Sequence, residues 1–277
     1  VSADGTTGSD KVRMRVAPLL TYHHGLTSEQ TWVSAWNSQG NQAMRADLSD
    51  ACAAAGVPQP RTISTTDSWA QDFFEPGFMS MPGPNGTQHV IRVNIRSANE
   101  RGPITAQNPL RAAGRVVWQL RGKDVAGIQE YDPSRNGYHD SLNSFGNLET
   151  VPPYTYQGKS YPLGRVIRGS TAQWHPDELF TRMMEAQKVQ PPIYIDTSWL
   201  LVGHVDESIS FVKANTARGW KLLVNDARMA KAMLQAQSNA GRGNVSMFVG
   251  KYWSSGNPAQ ATIDEVHSDP DVKSASA

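Results

Sequence analysis

The sequence predicts an α/β protein in which strand hairpins alternate with helices, rather than a plain doubly wound sheet. Three observations carry this expectation. Strand-like runs bounded by turn residues recur along the whole chain, several come in adjacent pairs that need no helical crossover, and amphipathic stretches with cap residues separate them.

Taken in order, Arg13 to Leu20 (RMRVAPLL) alternates like a strand. The stretch from Leu26 to Gly56 reads as one helix, with Thr27 and Gln30 as a capping box and Gly56 as its stop. Further strands are expected at Gln88 to Ile95, Arg115 to Leu120, Ser160 to Gly169, Pro192 to Gly203, Ser208 to Asn215 and Trp220 to Asp226. A second helix fits His175 to Val189, with a proline and acids in its first turn. A third fits Asp226 to Gly241, with Asp226 as N-cap and Gly241 just past its end. Asn99 to Pro153 is rich in turn residues and reads as functional loops. Residues 1–12 read as a polar tail, 13–262 as one folded unit, and 263–277 as an exposed polar tail of the composition that proteases cut.

The chain has 277 residues, 26 Lys+Arg against 25 Asp+Glu, and 39% hydrophobic residues. That suffices for a substantial core. A net charge of +1 disfavours nucleic acid and anionic membrane surfaces as partners, and no apolar run approaches the roughly 20 residues that cross a bilayer. Charged residues are 18%, below the roughly 25% of typical soluble domains. This favours a secreted protein whose leader has been removed, with the cytoplasm as the alternative. The single cysteine, Cys52, excludes an intrachain disulfide framework and a Cys-based zinc cage. Its Ala-rich helical surroundings suit a buried filler. His23 and His24 are not expected to chelate a metal, because neighbours on a strand face opposite sides. Asn85-Gly-Thr87 and Asn244-Val-Ser246 fit the glycosylation sequon and are given no role.

Three stretches carry chemistry. Trp199 to Val212 (WLLVGHVDESISFV) is apolar enough for a buried strand, yet holds His204, Asp206 and Glu207. In a strand His204 and Asp206 share one face, where an imidazole relays a proton and the acid holds a cation. A core histidine bonded to a structural aspartate is the plainer alternative. Asp67 to Phe78 (DSWAQDFFEPGF) sets Asp72 and Glu75 three apart around a turn beside Trp69. Aromatic and acid together suit a planar guanidinium, while a surface loop with one buried Trp explains the pattern equally. Ser144 to Gly169 (SFGNLETVPPYTYQGKSYPLGRVIRG) offers turn carbonyls and Glu149, hard oxygen donors of the kind calcium takes, or simply a hairpin with an exposed acid.

The blocks WAQD, SFGNLETVPPYTYQGKSYPLGRVIRG and WLLVGHVDESISFV, in this order, closely resemble the catalytic domain of protein-arginine deiminases. MMEAQKVQPPIYIDTSW and ARGWKLLVNDARMAKAMLQAQ extend the resemblance, which runs from about Arg13 to near the last residue. It implies the α/β propeller of the guanidine-modifying (pentein) enzymes, here incomplete because the C-terminal module is missing. It also implies hydrolysis of peptidyl-arginine to citrulline with release of ammonia, through a cysteine thiouronium intermediate. On the family pattern Asp72 and Asp206 grip the guanidinium, His204 is the general acid and base, Trp69 packs on the substrate's aliphatic stem, and Arg101 reads the peptide backbone.

The same pattern assigns one Ca²⁺ to Gln71, Glu75, Glu149 and the main-chain oxygens of Phe145 and Leu148. A neighbouring calcium position is expected to be lost, since Phe73 replaces one acid and Arg96 and Glu100 replace the other acid and amide. The family's nucleophilic cysteine lies beyond the GHVDE block, where this sequence has none, and Cys52 precedes every motif. The expected partner is therefore a second chain, a C-terminal piece of the same protein that carries the cysteine. A non-catalytic arginine-peptide-binding protein, or a deiminase of free arginine or agmatine, is the alternative.

Overall fold

In the computed structural model of the protein, the described residues are 2–3, 5–9, 11, 16–100, 110–129, 131, 140–253 and 255–276. In chain order the first half comprises β1 (Ser2–Ala3), β2 (Thr6–Thr7), β3 (Leu19–Thr21), β4 (Trp32–Ala35), α1 (Gln39–Ala55), β5 (Arg61–Ser64), α2 (Ala70–Phe73), β6 (Phe74–Pro82), β7 (Gln88–Arg96), α3 (Val116–Gln119) and β8 (Val125–Gln129). The second half comprises β9 (Glu149–Val151), β10 (Tyr154–Tyr156), β11 (Lys159–Tyr161), β12 (Arg165–Ser170), α4 (Glu178–Gln187), β13 (Ile193–Asp196), β14 (Ile209–Lys213), β15 (Trp220–Val224), α5 (Ala227–Gln237), β16 (Ser246–Met247), β17 (Ala261–Thr262), α6 (Ile263–Ser268) and α7 (Pro270–Ala275).

The largest sheet has the order β3-β6-β7-β8, antiparallel except for the parallel β7–β8 pair. A second has the order β13-β12-β9, and the helix α4 makes the crossover between the parallel strands β12 and β13. β4, α1 and β5 form a small parallel β-α-β unit, and β14–β15 is a hairpin. The protein is thus a mixed α/β structure of small strand-and-helix units, and none of the described sheets closes into a barrel.

Several sequence expectations are corrected. The helix expected from Leu26 begins only at Gln39, where the Ser38 side chain accepts from Asn41 N. Trp32 to Ala35 instead pair in register with Arg61 to Ser64, and the Thr27/Gln30 cap does not form a helix start. The helix does end at Gly56, whose φ of 65° provides the left-handed cap. Arg115 to Leu120 is not a strand: a 3-10 turn runs into α3, with Val116 and Val117 buried. A six-residue apolar run does not distinguish strand from helix by period. The run from Phe74 to Pro82, broken on paper by Pro76 and Gly77, is the nine-residue strand β6.

Ser160 to Gly169 is two strands parted by a turn at Gly164, and Pro192 to Gly203 keeps its strand only over β13. Of Arg13 to Leu20, residues 13–15 lie outside the described residues, and the strand formed is Leu19–Thr21. The helix at Glu178–Gln187 takes its cap from Asp177, with Pro176 just before it, and Asp226 caps α5 by accepting from Met229 N. Residues 263–268 and 270–275, read as a tail, are the short helices α6 and α7.

Three apolar clusters organise the molecule. The first packs Leu19, Val93 and Ile95 of the large sheet against Phe145, Leu148, Val166, Phe180 and Met184. The second gathers Ile63, Phe73, Phe74, Val116 and Val117, and the third Val151, Ile167, Val205 and Phe211. Each cluster contains one residue adjacent in sequence to a motif position. The functional side chains therefore inherit their positions from core packing.

Candidate active site

Asp72 sits on the single helical turn α2, immediately before Phe73, which is fully buried in the second cluster. Phe73 anchors this turn in the core, while Trp69 at its start is exposed. Across from it, the 3-10 turn Phe145–Asn147 is clamped by Phe145 and Leu148 in the first cluster.

Asn147, fully buried, makes this turn a junction. Its Nδ2 donates to the carbonyls of Leu142 and Gly169, and its Oδ1 accepts from the backbone N–H of Gly169 and Val205. Arg168 supports the same loop by donating to the Leu142 carbonyl at 3.1 Å, under an aromatic face from Phe180. Burial pulls its guanidinium down to about 10.

The expected GHVDE strand is instead a 3-10 turn, Val205–Glu207, entered from His204 in extended conformation. Val205 is fully buried in the third cluster, and the His204 N–H donates to Glu207 Oε1 at 2.8 Å. The two-residue alternation expected for His204 and Asp206 is replaced by the geometry of a turn, which brings His204, Asp206 and Glu207 to one cavity. His204 Nε2 lies 2.8 Å from the Ser141 carbonyl oxygen. A carbonyl only accepts, so Nε2 carries the hydrogen, and Nδ1 is the nitrogen left to exchange protons.

That Nδ1 faces Asp72 Oδ1 at 3.8 Å. A methyl group added at Gly146 would lie 2.6 Å from His204 Nδ1, 2.9 Å from Asp206 Oδ2 and 3.0 Å from Asp72 Oδ1. One imidazole nitrogen and one oxygen from each carboxylate therefore converge on a single point beside this glycine. They border a cavity of about 650 Å³ lined also by Trp69, Asn99, Arg111 and Ser141. Burial, countered in part by His204 and reinforced by Asp72, raises the Asp206 carboxyl to about 6.

A second cavity of about 430 Å³ lies on the other side of α2. Gln71, Glu75, Leu148 and Glu149 line it, as do His23 and His24. The two histidines thus share a cavity rather than facing opposite ways. Gln71 Nε2 donates to Glu75 Oε2 at 2.6 Å and to the Phe145 carbonyl at 3.3 Å, and His24 Nδ1 is 4.0 Å from Glu149 Oε2. Burial pushes Glu75 up to about 8 and Glu149 up to about 7, with Asp206 contributing to the latter.

Comparison with known proteins decides the family. The sequence profile described as protein-arginine deiminase (PAD) matches residues 6–277. Among curated relatives, the human protein-arginine deiminase type-4 is 33% identical over 201 residues, covering 69% of this chain and 27% of the relative. The human type-3 protein is 31% identical over 195 residues, 69% of this chain and 27% of the relative. The mouse type-1 protein is 26% identical over 280 residues, 97% of this chain and 39% of the relative. The chain belongs to the protein-arginine deiminase family. It spans about a quarter to two fifths of the length of these relatives.

The deiminase resemblance implied a calcium position, and the donor set here fits a hard cation. Gln71, Glu75, Glu149 and the Phe145 carbonyl are oxygen-bearing groups drawn together around carboxyls whose pKa values burial raises. A half-turn of the Gln71 amide exchanges its nitrogen for an oxygen donor. Among the described residues no group of three or more His, Cys, Asp or Glu is arranged for a metal ion, as expected when half of the donors are amide and carbonyl oxygens.

At the neighbouring position Phe73 lies in the core and Arg96 is buried, donating to Gln129 Oε1 at 2.8 Å and to the Arg111 carbonyl at 3.1 Å. Arg101 lies outside the described residues. Cys52 is a free, buried thiol on α1 and lines neither cavity. Sequence reasoning missed Arg111, Ser141, Asn147 and the bond of Glu207 to His204. Asn147 and Glu207 sit inside motifs that were quoted, so the signal was present, but only the fold shows what they bind.

Proposed function

We propose that the chain supplies the guanidinium-binding and proton-transfer half of a protein-arginine deiminase that converts peptidyl-arginine to peptidyl-citrulline. The convergence of Asp72, Asp206 and His204 beside Gly146 carries this reading. An arginine side chain stays protonated at any ordinary pH, so two carboxylates are needed to draw it from water and aim its central carbon. Trp69, 63% exposed at the cavity, offers its face to the methylene stem. Arg101 is kept as the residue that reads the peptide backbone, on the resemblance alone.

In the reaction a thiolate bonds to the guanidinium carbon, the carbon–nitrogen bond breaks, and the departing nitrogen takes a proton from His204 Nδ1 and leaves as ammonia. Water then gives one proton back to Nδ1 as its oxygen bonds to the carbon, the carbon–sulfur bond breaks to release the thiolate, and the second water proton passes to solvent, leaving the citrulline carbonyl. Cys52 cannot serve, being buried on α1. The attacking thiol is supplied from outside this site, by another part of the protein. Leu222, Leu223 and Val224 on β15 and Met229 and Met233 on α5 are exposed, and α5 buries no residue, which supports further covering of these two elements. Calcium would be held by Gln71, Glu75, Glu149 and the oxygens of Phe145 and Leu148, supplying positive charge that orders the turn bearing Asp72. The Phe73 and Arg96 side chains support a single site.

The test assays the complete protein that contains this sequence on arginine peptides, free arginine and agmatine. Citrulline in the peptide, with one ammonia per conversion, is expected. Peptide binding without ammonia points instead to a non-catalytic arginine reader, and turnover restricted to the small amines to a free-substrate deiminase.

A further inference from the structure

Arg111 is one of the most buried cations in the protein, 4% exposed, yet it lies at the edge of the substrate cavity. Its Nε and Nη2 donate to the two oxygens of Asp67, both at 2.6 Å, which is the fork geometry that fixes a guanidinium plane. Its Nη1 donates to Asp72 Oδ2 at 3.1 Å and to Asn99 Oδ1 at 3.2 Å. The flat ring of Phe73 lies 5.9 Å beneath it. Its backbone is held as well: the N–H donates to the Asn99 carbonyl at 2.8 Å, and its carbonyl accepts from Arg96.

The two oxygens of Asp72 are thereby divided. Oδ2 is taken by Arg111, and Oδ1 faces His204 Nδ1 and the convergence point beside Gly146. Burial works against the Arg111 charge, but the bonds and charges of Asp67 and Asp72 outweigh it and hold its pKa above the ordinary arginine range. A guanidinium tied to two carboxylates, an amide and an aromatic face is not free to swing in and out of the cavity. It is a fixture against which Asp72 is set.

We propose that Arg111 is a positioning residue: clamped by Asp67 and Asn99, it holds one oxygen of Asp72 so that the other is aimed at the guanidinium of the substrate. Arg96 extends the support by one step. Its buried guanidinium donates to the Leu110 and Arg111 carbonyls and to Gln129, so a permanent cation organises the segment that carries Arg111. The proposal rests on the reading that Asp72 grips substrate.

The experiment uses the complete protein that contains this sequence and a benzoyl-arginine peptide, with KM and kcat measured separately and folding followed by thermal melting. Arg111→Met is expected to raise KM by about 10- to 100-fold with a smaller fall in kcat, because Asp72 binds the guanidinium in the ground state as well as during reaction. Arg111→Lys keeps the charge without the fork and should recover part of the loss. A merely structural arginine would not give that split, nor a recovery by charge alone. Should Arg111→Met fail to fold because Asp67 is left unpaired, the double variant Asp67→Asn/Arg111→Met restores charge balance and is read in its place. Unchanged KM, or a lower KM that would mark Arg111 as an internal competitor for Asp72, overturns the proposal. Wild-type enzyme that neither binds nor converts the peptide overturns the deiminase reading itself and this inference with it.

Discussion

At the scale of single residues, Gly146 shows how closely this site is built. Any side chain there would strike His204, Asp206 and Asp72 at once. Gly146→Ala should leave the fold intact but abolish guanidinium binding, a loss read by calorimetry with a benzoyl-arginine amide; binding within twofold of wild type would contradict the convergence. Asp206 supplies a second residue-scale outcome. Its carboxyl is raised to about 6 in the folded protein, above the value of an unfolded chain, so the folded state holds that proton more tightly. Its ionisation therefore opposes folding fully above pH 6 and ceases to do so as the pH falls towards 4. Asp206→Asn should melt at a higher temperature than wild type at pH 8, with the advantage fading by pH 4, while losing substrate binding at every pH. These residues were legible in the sequence because the acids and the histidine stand in recognisable blocks. Arg111 was not: its partners Asp67, Asp72 and Asn99 are distant in sequence, and no local pattern marks a buried arginine.

At the scale of elements, the misread segments share a cause. The apolar flanks of GHVDE favour a strand, but the Glu207 carboxylate captures the His204 N–H and the turn closes. The capping pattern before Trp32 to Ala35 favours a helix, but pairing with Arg61 to Ser64 outweighs that local preference. By contrast, the Gly56 stop and the Asp226 cap are readable, since left-handed turn residues and N-caps act locally. What the sequence conceals is how elements are tied together, and Asn147 is the plainest tie. Asn147→Ala would strand the N–H groups of Gly169 and Val205 and take a donor from the Gly169 carbonyl, while the Leu142 carbonyl keeps its bond from Arg168. With each buried unsatisfied group costing about 1–3 kcal/mol, a loss on the order of 3 kcal/mol or more is expected in urea unfolding. A loss under about 1 kcal/mol would show that water replaces the amide and that the junction is not structural.

At the scale of the whole molecule, the cavity and the oxygen-donor cradle occupy opposite sides of α2, and both draw on the turn at residues 145–148. Filling the cradle therefore bears on elements from all three apolar clusters: α2 and β6 on one side, β9 on the other. A calcium ion that binds the folded state alone stabilises it by about 2.7 kcal/mol at a hundredfold excess over its dissociation constant. For a chain of this size that is on the order of 5–10 °C in melting temperature. The cradle's mixed carboxyl, amide and carbonyl oxygens suit the larger, more tolerant calcium better than magnesium, which demands a tight octahedron. Calcium should therefore raise the melting temperature, magnesium at equal concentration should do so far less, and the paired substitution Glu75→Gln/Glu149→Gln should remove the calcium response without abolishing folding. Removing the ion with a chelator should return the wild type to its starting temperature. If the double variant responds to calcium as strongly as the wild type, the ion binds elsewhere and the cradle is a buried hydrogen-bonded acid pair. In that case the turn carrying Asp72 is ordered by Arg111 and the core alone.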